Sequence, residues 1–198
     1  PAISSVLRVT QHQDSLAALA NWRKSKGDSV AARIAHNCRK RGISLHEVIK
    51  RYLQGQTNFL CDAAIQPYWE SIQTTLEQID EAKLIEEIAF NRQERYAGRV
   101  DLVACYKDIP CVIEWTTAEE PKSSEGRLYD KPLQAVAELG AINRSFGDRL
   151  YGERIENVLI VVALPDRPAL ASLHCEQDAL MPRWQMRWSL PVLRREIL

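Results

Sequence analysis

The amino-acid sequence predicts an α/β fold in which a mixed central sheet is flanked by helices and preceded by a helical cap. The first 80 residues have a helical pattern, whereas residues 84–117 are rich in β-branched, aromatic and apolar side chains. Residues 157–164 form a continuous apolar run, which is typical of a buried strand. At 198 residues the chain is long enough for one domain, and we expect a cap over 1–82 and an α/β core over 83–198.

The N-terminal helices are predicted from capping residues. Asp28 follows Gly27 and is a plausible start for one helix. Ser44 and Glu47 have the spacing of a capping box, which predicts a short helix ending near Gly55. A further helix is expected over residues 66–79.

Three strands are expected next as a meander, over residues 84–90, 96–106 and 111–117, with residues 107–110 as the last turn. A helix then begins at Asp130 and Pro132 and ends near Arg144. The buried strand over 157–164 is followed by an edge strand over 169–175. The final helix carries four clustered basic and aromatic residues: Arg183, Trp184, Arg187 and Trp188.

Composition excludes several classes of protein. No apolar run approaches the roughly 18 residues of a membrane span, so we expect no membrane association. The five cysteines include no CxxC pair, which argues against a zinc ribbon and against an iron–sulfur cluster. Their odd number suits a reduced intracellular protein: the cytoplasm of a bacterium or a phage-infected cell, or an organelle if a targeting segment was removed.

Charge is unevenly distributed although the formal net charge is zero. Residues 1–55 contain ten Lys and Arg against three Asp and Glu, whereas residues 56–90 contain one against seven. The basic block includes Arg39, Lys40 and Arg41, which are candidates for binding phosphates of a nucleic acid. A solvated helix face that balances the acidic segment is an equally good interpretation.

A pair of carboxylates marks the candidate site. If the four-residue turn places Tyr106 opposite Cys111, then Asp101 lies opposite Thr116, and Glu114 projects from the same face of the sheet. Two carboxylates in apolar strands are costly unless they bind a cation or pair with bases. Oxygen ligands of this kind suit Mg²⁺ or Mn²⁺. The spacing alone is a weak pattern, because such carboxylates are more often exposed to solvent.

The residues around the pair resemble a known family. The segments YAGRVDLVA, CVIEWTTAEEPK and YDKPLQAVAELGAINR are similar to the core of the mitochondrial genome maintenance exonucleases, a RecB-like branch of the PD-(D/E)XK nucleases. The resemblance is densest over residues 96–144 and weaker elsewhere. It implies a restriction-endonuclease-like core and hydrolysis of DNA.

The resemblance also implies roles for individual residues. The family's upstream acidic residue best matches Glu87, with Glu86 as the alternative. The helix after the motif provides Gln134, and Lys122 in the AEEPK stretch also has a counterpart. The implied metal ligands are Asp101, Glu114, the carbonyl of Trp115, His46 and Glu87. Without the resemblance, His46, Glu87 and Gln134 would each be interpreted as surface residues.

The sequence departs from the family at two positions. Thr116 stands where the family has a lysine that orients the attacking water, and Glu138 stands where a tyrosine is usual. Lys122 is a candidate to replace the missing cation. We therefore expect catalysis by Asp101, Glu114, Thr116, Lys122 and Gln134.

The predicted function is Mg²⁺- or Mn²⁺-dependent hydrolysis of DNA from a free end, with single-stranded DNA as the substrate that the resemblance implies. The alternative is a nuclease-fold protein that has lost efficient catalysis and acts as a nucleic-acid-binding accessory subunit. Thr116 and Glu138 favour the alternative, whereas Asp101 and Glu114 favour the enzyme.

Overall fold

The computed structural model describes residues 1–56, 60–120, 128, 130–175 and 180–190. Lys122 therefore lies outside the described residues. The described part contains six α-helices and five β-strands: α1 (Ile3–Val9), α2 (Gln13–Lys26), α3 (Asp28–Leu53), α4 (Gln66–Leu76), β1 (Ile79–Asn91), β2 (Tyr96–Tyr106), β3 (Ile109–Thr117), α5 (Lys131–Ser145), β4 (Asn157–Ala163), β5 (Leu170–Cys175) and α6 (Leu180–Trp188). None of the described helices is long and apolar enough to cross a membrane.

The five strands form one mixed sheet in the order β1-β2-β3-β4-β5. β1, β2 and β3 are antiparallel neighbours. β4 is parallel to β3, and β5 runs antiparallel to β4 at the far edge. Because β3 and β4 are parallel, the chain between them has to cross over the sheet, and α5 lies in this connection. The predicted α/β fold with a mixed sheet is confirmed.

The sheet separates two hydrophobic clusters. Val103, Val112 and Val158 pack on the side of α5, together with α1 and α6. Their neighbours in the strands, Leu102 and Ile113 among them, pack on the opposite side with α3 and α4. This alternation follows from the two-residue period of side chains along a strand.

The structure corrects two local predictions. α3 is one continuous helix from Asp28 to Leu53, so Ser44 and Glu47 lie inside it and do not form a capping box. Burial of Leu45, Val48 and Ile49 against α4 and the sheet stabilises this helix through the predicted break.

The second correction concerns the hairpin between β2 and β3. Its turn has two residues, Lys107 and Asp108, both with left-handed φ angles of 51° and 64°, as a two-residue hairpin with a type I′ turn requires. Tyr106 consequently pairs with Ile109 rather than with Cys111. The predicted register is therefore shifted by two residues.

The N-terminal helices do not all form a cap. Ile3, Val6 and Leu7 of α1 are buried in the same cluster as α5. Arg187 of α6 donates hydrogen bonds to the carbonyl oxygen of Leu7 and to the hydroxyl of Thr10. α1 is thus part of the α/β core, and of the helices predicted for the cap, α3 and α4 pack against the opposite face of the sheet. The single-domain division stays a prediction.

Candidate active site

The sheet opens between β2 and β3 at the position of the predicted carboxylates. The two strands pair only from Tyr106 opposite Ile109 to Leu102 opposite Ile113. β2 continues as the partner of β1 and β3 as the partner of β4. The two strands therefore separate just where Asp101 and Glu114 follow the last pair, and this opening leaves room for side chains from both sides of the sheet.

Three potential metal ligands meet at this opening. His46, Glu86 and Asp101 each offer one ligand atom, and the three atoms lie within 4.8 Å of one another. The Nδ1 atom of His46 is 3.4 Å from Oε1 of Glu86 and 3.4 Å from Oδ1 of Asp101. The side chains of these residues are 26%, 18% and 11% exposed, so the group lies in a half-buried depression that solvent reaches.

The fold explains how residues distant in sequence reach this group. His46 lies in the middle of α3, one residue after the buried Leu45. Glu86 has a left-handed φ of 54°, which interrupts the alternation of β1. Leu84 and Ala89 pack on the same side of the sheet although they are five positions apart, an odd number, so the alternation changes once between them. This irregularity brings Glu86 toward α3.

The electrostatic state of His46 follows from its two neighbours. Burial by itself lowers the pKa of His46, but hydrogen bonds and charge interactions with Asp101 and Glu86 outweigh burial and raise this pKa to about 10. The imidazole is therefore protonated at neutral pH in the metal-free protein. A divalent ion that binds here has to displace this proton, as is general for histidine ligands.

Asp101 also connects the metal group to β3. Its Oδ2 atom accepts a hydrogen bond of 3.0 Å from the backbone N–H of Trp115, a group that the separation from β2 would otherwise leave without a partner. The indole of Trp115 packs in the cluster of α3 and α4. These contacts fix the position of Asp101 relative to Glu114, the residue before Trp115. The role of the Trp115 carbonyl as a ligand stays a prediction.

Glu114 is fully buried and faces α5. Its Oε2 atom accepts a hydrogen bond of 2.7 Å from Nζ of Lys131, the first residue of α5. Burial and the negative charge of Asp101 raise the pKa of Glu114, whereas Lys131 opposes this rise. Burial also lowers the pKa of Lys131, but Glu114 and Asp101 outweigh it and raise that pKa, so Lys131 remains a cation.

A second buried carboxyl group, Glu138, completes the network on α5. Burial and the proximity of Glu114 raise the pKa of Glu138 well above its ordinary value. Nε2 of Gln134 donates a hydrogen bond of 3.0 Å to Oε1 of Glu138. Oε1 of Glu114 and Oε2 of Glu138 are buried and have no hydrogen-bond partner among the described residues, and a proton shared by the two carboxyl groups would satisfy both atoms.

The structure reverses the preference between the two neighbouring glutamates. Glu86 lies beside His46 and Asp101, whereas Glu87 is exposed and pairs with Val100. The sequence could not distinguish them, because regular alternation along β1 gives no sign of the left-handed residue. The geometry therefore favours Glu86 over Glu87 as the ligand, and the choice between them stays a prediction.

The other predicted catalytic residues are placed on the side of α5. Thr116 follows Glu114 by two residues, is half-buried and lies opposite Val162 of β4. The predicted hairpin register had placed it opposite Asp101. Gln134 contacts Glu138 and reaches the site through it. Lys131 was missed, because only the packing of α5 against β3 brings it to Glu114.

The basic block divides into residues with different environments. Arg41 donates hydrogen bonds to Thr117 and Glu119 and lies over the ring of Tyr68. It therefore binds α3 to the end of β3, and its role as a phosphate contact stays a prediction. Arg39 and Lys40 are exposed, and Arg39, seven residues before His46, shares the helix face of His46.

A groove beside the metal group continues along that face. It is lined by Gly42, Ile43, His46, Glu47, Lys50, Glu86 and Arg99. Nη1 of Arg99 is 3.8 Å from Oε2 of Glu86, and the Arg99 side chain is 65% exposed. Basic side chains thus lie at both edges of the groove.

Comparison with known proteins reveals relatives of the whole chain. Over 96% of its length, the chain is 30% identical to mitochondrial genome maintenance exonuclease 1 of Mus musculus and 28% identical to that of Homo sapiens. It is 35% identical to the Xenopus tropicalis protein over 62% of its length. The chain is related to these exonucleases. This relation confirms the resemblance to the PD-(D/E)XK nucleases. The chain spans 57%, 56% and 34% of the three relatives.

Two further comparisons add little. No protein-family model matches the chain. A solved structure of a candidate exonuclease from Eubacterium rectale matches with a TM-score of 0.49 and 9% sequence identity, over 78% of this chain and 65% of that one. This likeness is too weak to support a conclusion.

Proposed function

We propose that the protein is a metal-dependent DNA exonuclease whose metal site is formed by His46, Glu86 and Asp101. The observation that carries the proposal is the convergence of these three ligand atoms within 4.8 Å at the opening between β2 and β3. Glu114, across the opening, is the second carboxylate of the site. The relation to exonucleases named for mitochondrial genome maintenance supports a DNA substrate.

The residues present fit a hard divalent cation. Two carboxylates and one imidazole form the group, and carboxylate oxygens are ligands that Mg²⁺ and Mn²⁺ prefer. The metal-free group contains a protonated imidazole between two carboxylates, which means that the site already stabilises positive charge. When bound, the cation would polarise the phosphate and lower the pKa of a water molecule.

The reaction is hydrolysis of a phosphodiester. A water oxygen forms a bond to phosphorus and loses a proton to solvent. The ester bond to the leaving nucleotide breaks, and the leaving oxygen gains a proton. Asp101 and Glu86 would hold the cation beside the phosphate, and the cation would supply positive charge where negative charge develops. Glu114, whose position is fixed by Lys131 and Glu138, forms the opposite wall of the site.

The groove along α3 is the path that we propose for the DNA strand. Lys50 and Arg99 line it, and Arg39 lies on the same helix face. Basic side chains at the edges of a groove position a phosphate backbone without reading its sequence. An open groove that leads to a half-buried site suits a single strand that enters by its end.

A nucleic-acid-binding accessory subunit remains the second candidate. Thr116 provides no cation, and Glu138 adds a buried carboxyl group behind Glu114. Each feature would slow phosphodiester hydrolysis if nothing compensated for it, since a cation near the phosphate stabilises the transition state.

A cleavage assay with labelled DNA tests both candidates. Linear single strands labelled at the 5′ or the 3′ end are incubated with Mg²⁺, Mn²⁺, Ca²⁺ or EDTA. A circular single strand of the same sequence is the matched substrate control, and Asp101→Asn is the matched protein control. We expect stepwise shortening of linear strands with Mg²⁺ or Mn²⁺, no cleavage of the circle, and no cleavage with EDTA or by Asp101→Asn.

The results separate the candidates. Cleavage of the circle, which has no free end, would show that the protein is an endonuclease and not an exonuclease. If the protein binds single strands but cleaves none of these substrates with either metal, the accessory-subunit function is correct.

A further inference from the structure

Position 116 cannot provide the positive charge that a phosphodiester-cleaving site needs. Thr116 is a neutral residue on β3, two residues after Glu114 and on the same side of the sheet. The ammonium group of Lys131 reaches this side from α5 and lies 2.7 Å from Oε2 of Glu114. A cation is therefore present beside Glu114, but it comes from a helix instead of the strand.

We propose that Lys131 is the cationic residue of the site and supplies, from the first turn of α5, the positive charge that Thr116 lacks. The inference rests on the proposed nuclease function and names a further residue for it. In the resting protein the ammonium group pairs with Glu114. With DNA bound it contacts the phosphate at which the water attacks.

Local helix energetics give no reason for a lysine at this position. Lys131 is the first residue of α5, and the first turn contains no acidic residue. A cation at a helix N-terminus opposes the helix dipole and is therefore locally unfavourable. Residues that violate a local preference in this way are often retained for a functional site.

The Lys131 side chain can also reach a substrate. It is 31% exposed, whereas Glu114 is fully buried. The Lys131 side chain thus extends from a partly exposed surface to the buried carboxylate, so its ammonium group is within reach of a phosphate that approaches this side of the sheet. Among the described residues, two other basic side chains near the site have different contacts: Arg41 is bound to Thr117 and Glu119, and Arg99 is an exposed residue of the groove.

Moving the charge from one position to the other tests the proposal. The variants are Lys131→Met, which keeps the length of the side chain without its charge, Lys131→Arg, Thr116→Lys, and Thr116→Lys combined with Lys131→Met. Lys83→Met is the matched control, because Lys83 also pairs with a carboxylate, Glu81, but on β1 away from the site. Single-turnover cleavage of a linear single strand is measured with Mg²⁺. DNA affinity with Ca²⁺ and the melting temperature are measured in parallel.

We expect Lys131→Met to lower the cleavage rate on the order of 10²-fold, with DNA affinity changed less than about threefold, since the charge acts mainly in the transition state. Lys131→Arg should retain more activity than Lys131→Met. Adding Thr116→Lys to the Lys131→Met protein should raise its cleavage rate at least about tenfold. In the wild-type protein, Thr116→Lys should add little. Lys83→Met should cleave normally.

Other results overturn the assignment. A purely structural role predicts a lower melting temperature for Lys131→Met and no recovery of its rate by Thr116→Lys. If Lys131→Met cleaves at the wild-type rate, Lys131 is not the cation of the site. The same conclusion follows if the wild type is inactive and Thr116→Lys activates it. In both cases the proposed nuclease function is retained. Absence of cleavage in both the wild type and Thr116→Lys refutes the proposed function itself, and with it the role of Lys131.

Discussion

Glu86 and Glu87 are neighbours in β1 with the same side chain, and the structure assigns them opposite environments. Glu86 lies 3.4 Å from His46 and is 18% exposed, whereas Glu87 is exposed and opposite Val100. The perturbation is therefore Glu86→Gln, with Glu87→Gln as a control that has the same change of charge, size and strand.

The expected magnitude follows from charge and burial. Two unit charges at 4 Å interact by about 4 kcal/mol at an effective dielectric constant of 20, and a divalent ion interacts more strongly, but loss of its hydration offsets much of the gain. Removal of a partner in the outer shell of a metal site already costs about 10- to 100-fold in affinity. We expect Glu86→Gln to weaken Mn²⁺ binding at least about 30-fold, which corresponds to about 2 kcal/mol.

Calorimetric titration with Mn²⁺ measures this difference. Glu87→Gln should bind Mn²⁺ within about twofold of the wild type, because an exposed carboxylate outside the group contributes little at ordinary ionic strength. Circular-dichroism melting of the metal-free proteins verifies that both variants are folded. If Glu87→Gln loses binding while Glu86→Gln retains it, or if neither loses it, the assignment of Glu86 is refuted.

Three further predictions concern the strand path, pH and packing. Arg39→Glu should weaken single-strand binding and reduce its dependence on salt, measured by fluorescence anisotropy, whereas Arg41→Met should instead lower the melting temperature, because Arg41 binds Thr117, Glu119 and Tyr68. Burial raises the pKa of the Cys111 thiol to about 12. The contribution of the protonated thiol to the free energy of unfolding is therefore fully present below the pKa of the unfolded chain, and it is lost as the pH rises toward 12. Urea unfolding under reducing conditions should show a decrease between pH 7 and pH 10.5 that is about 2 kcal/mol larger in the wild type than in Cys111→Ala; equal decreases would contradict it. Gly98→Ala should lower the free energy of unfolding by about 1–3 kcal/mol, since its Cβ would lie 2.5 Å from Cδ1 of Ile3, whereas Gly42→Ala, with open space inside α3, should raise it by about 0.5–1 kcal/mol; the opposite signs would refute this packing argument.

The sequence determined most of the fold, because periodicity and turn residues are local signals. The apolar run became β4, Asp130 and Pro132 marked the start of α5, and the mixed sheet followed from their order. The capping-box motif failed because Leu45, Val48 and Ile49 gain more from burial in one long helix than Ser44 gains by ending it. The hairpin register failed because two residues with left-handed φ shortened the turn.

The site was determined in part by the sequence and completed by the tertiary structure. The spacing predicted that Asp101 and Glu114 would lie close together, the family resemblance implied that His46 would join them, and the structure brings His46 to Asp101. The sequence alone could not choose Glu86 over Glu87, because that choice depends on one left-handed residue in β1. Nor could it find Lys131, which reaches Glu114 only because α5 packs across β3. Contacts between distant segments have no local signal, so the partners of these charged groups were decided by packing alone.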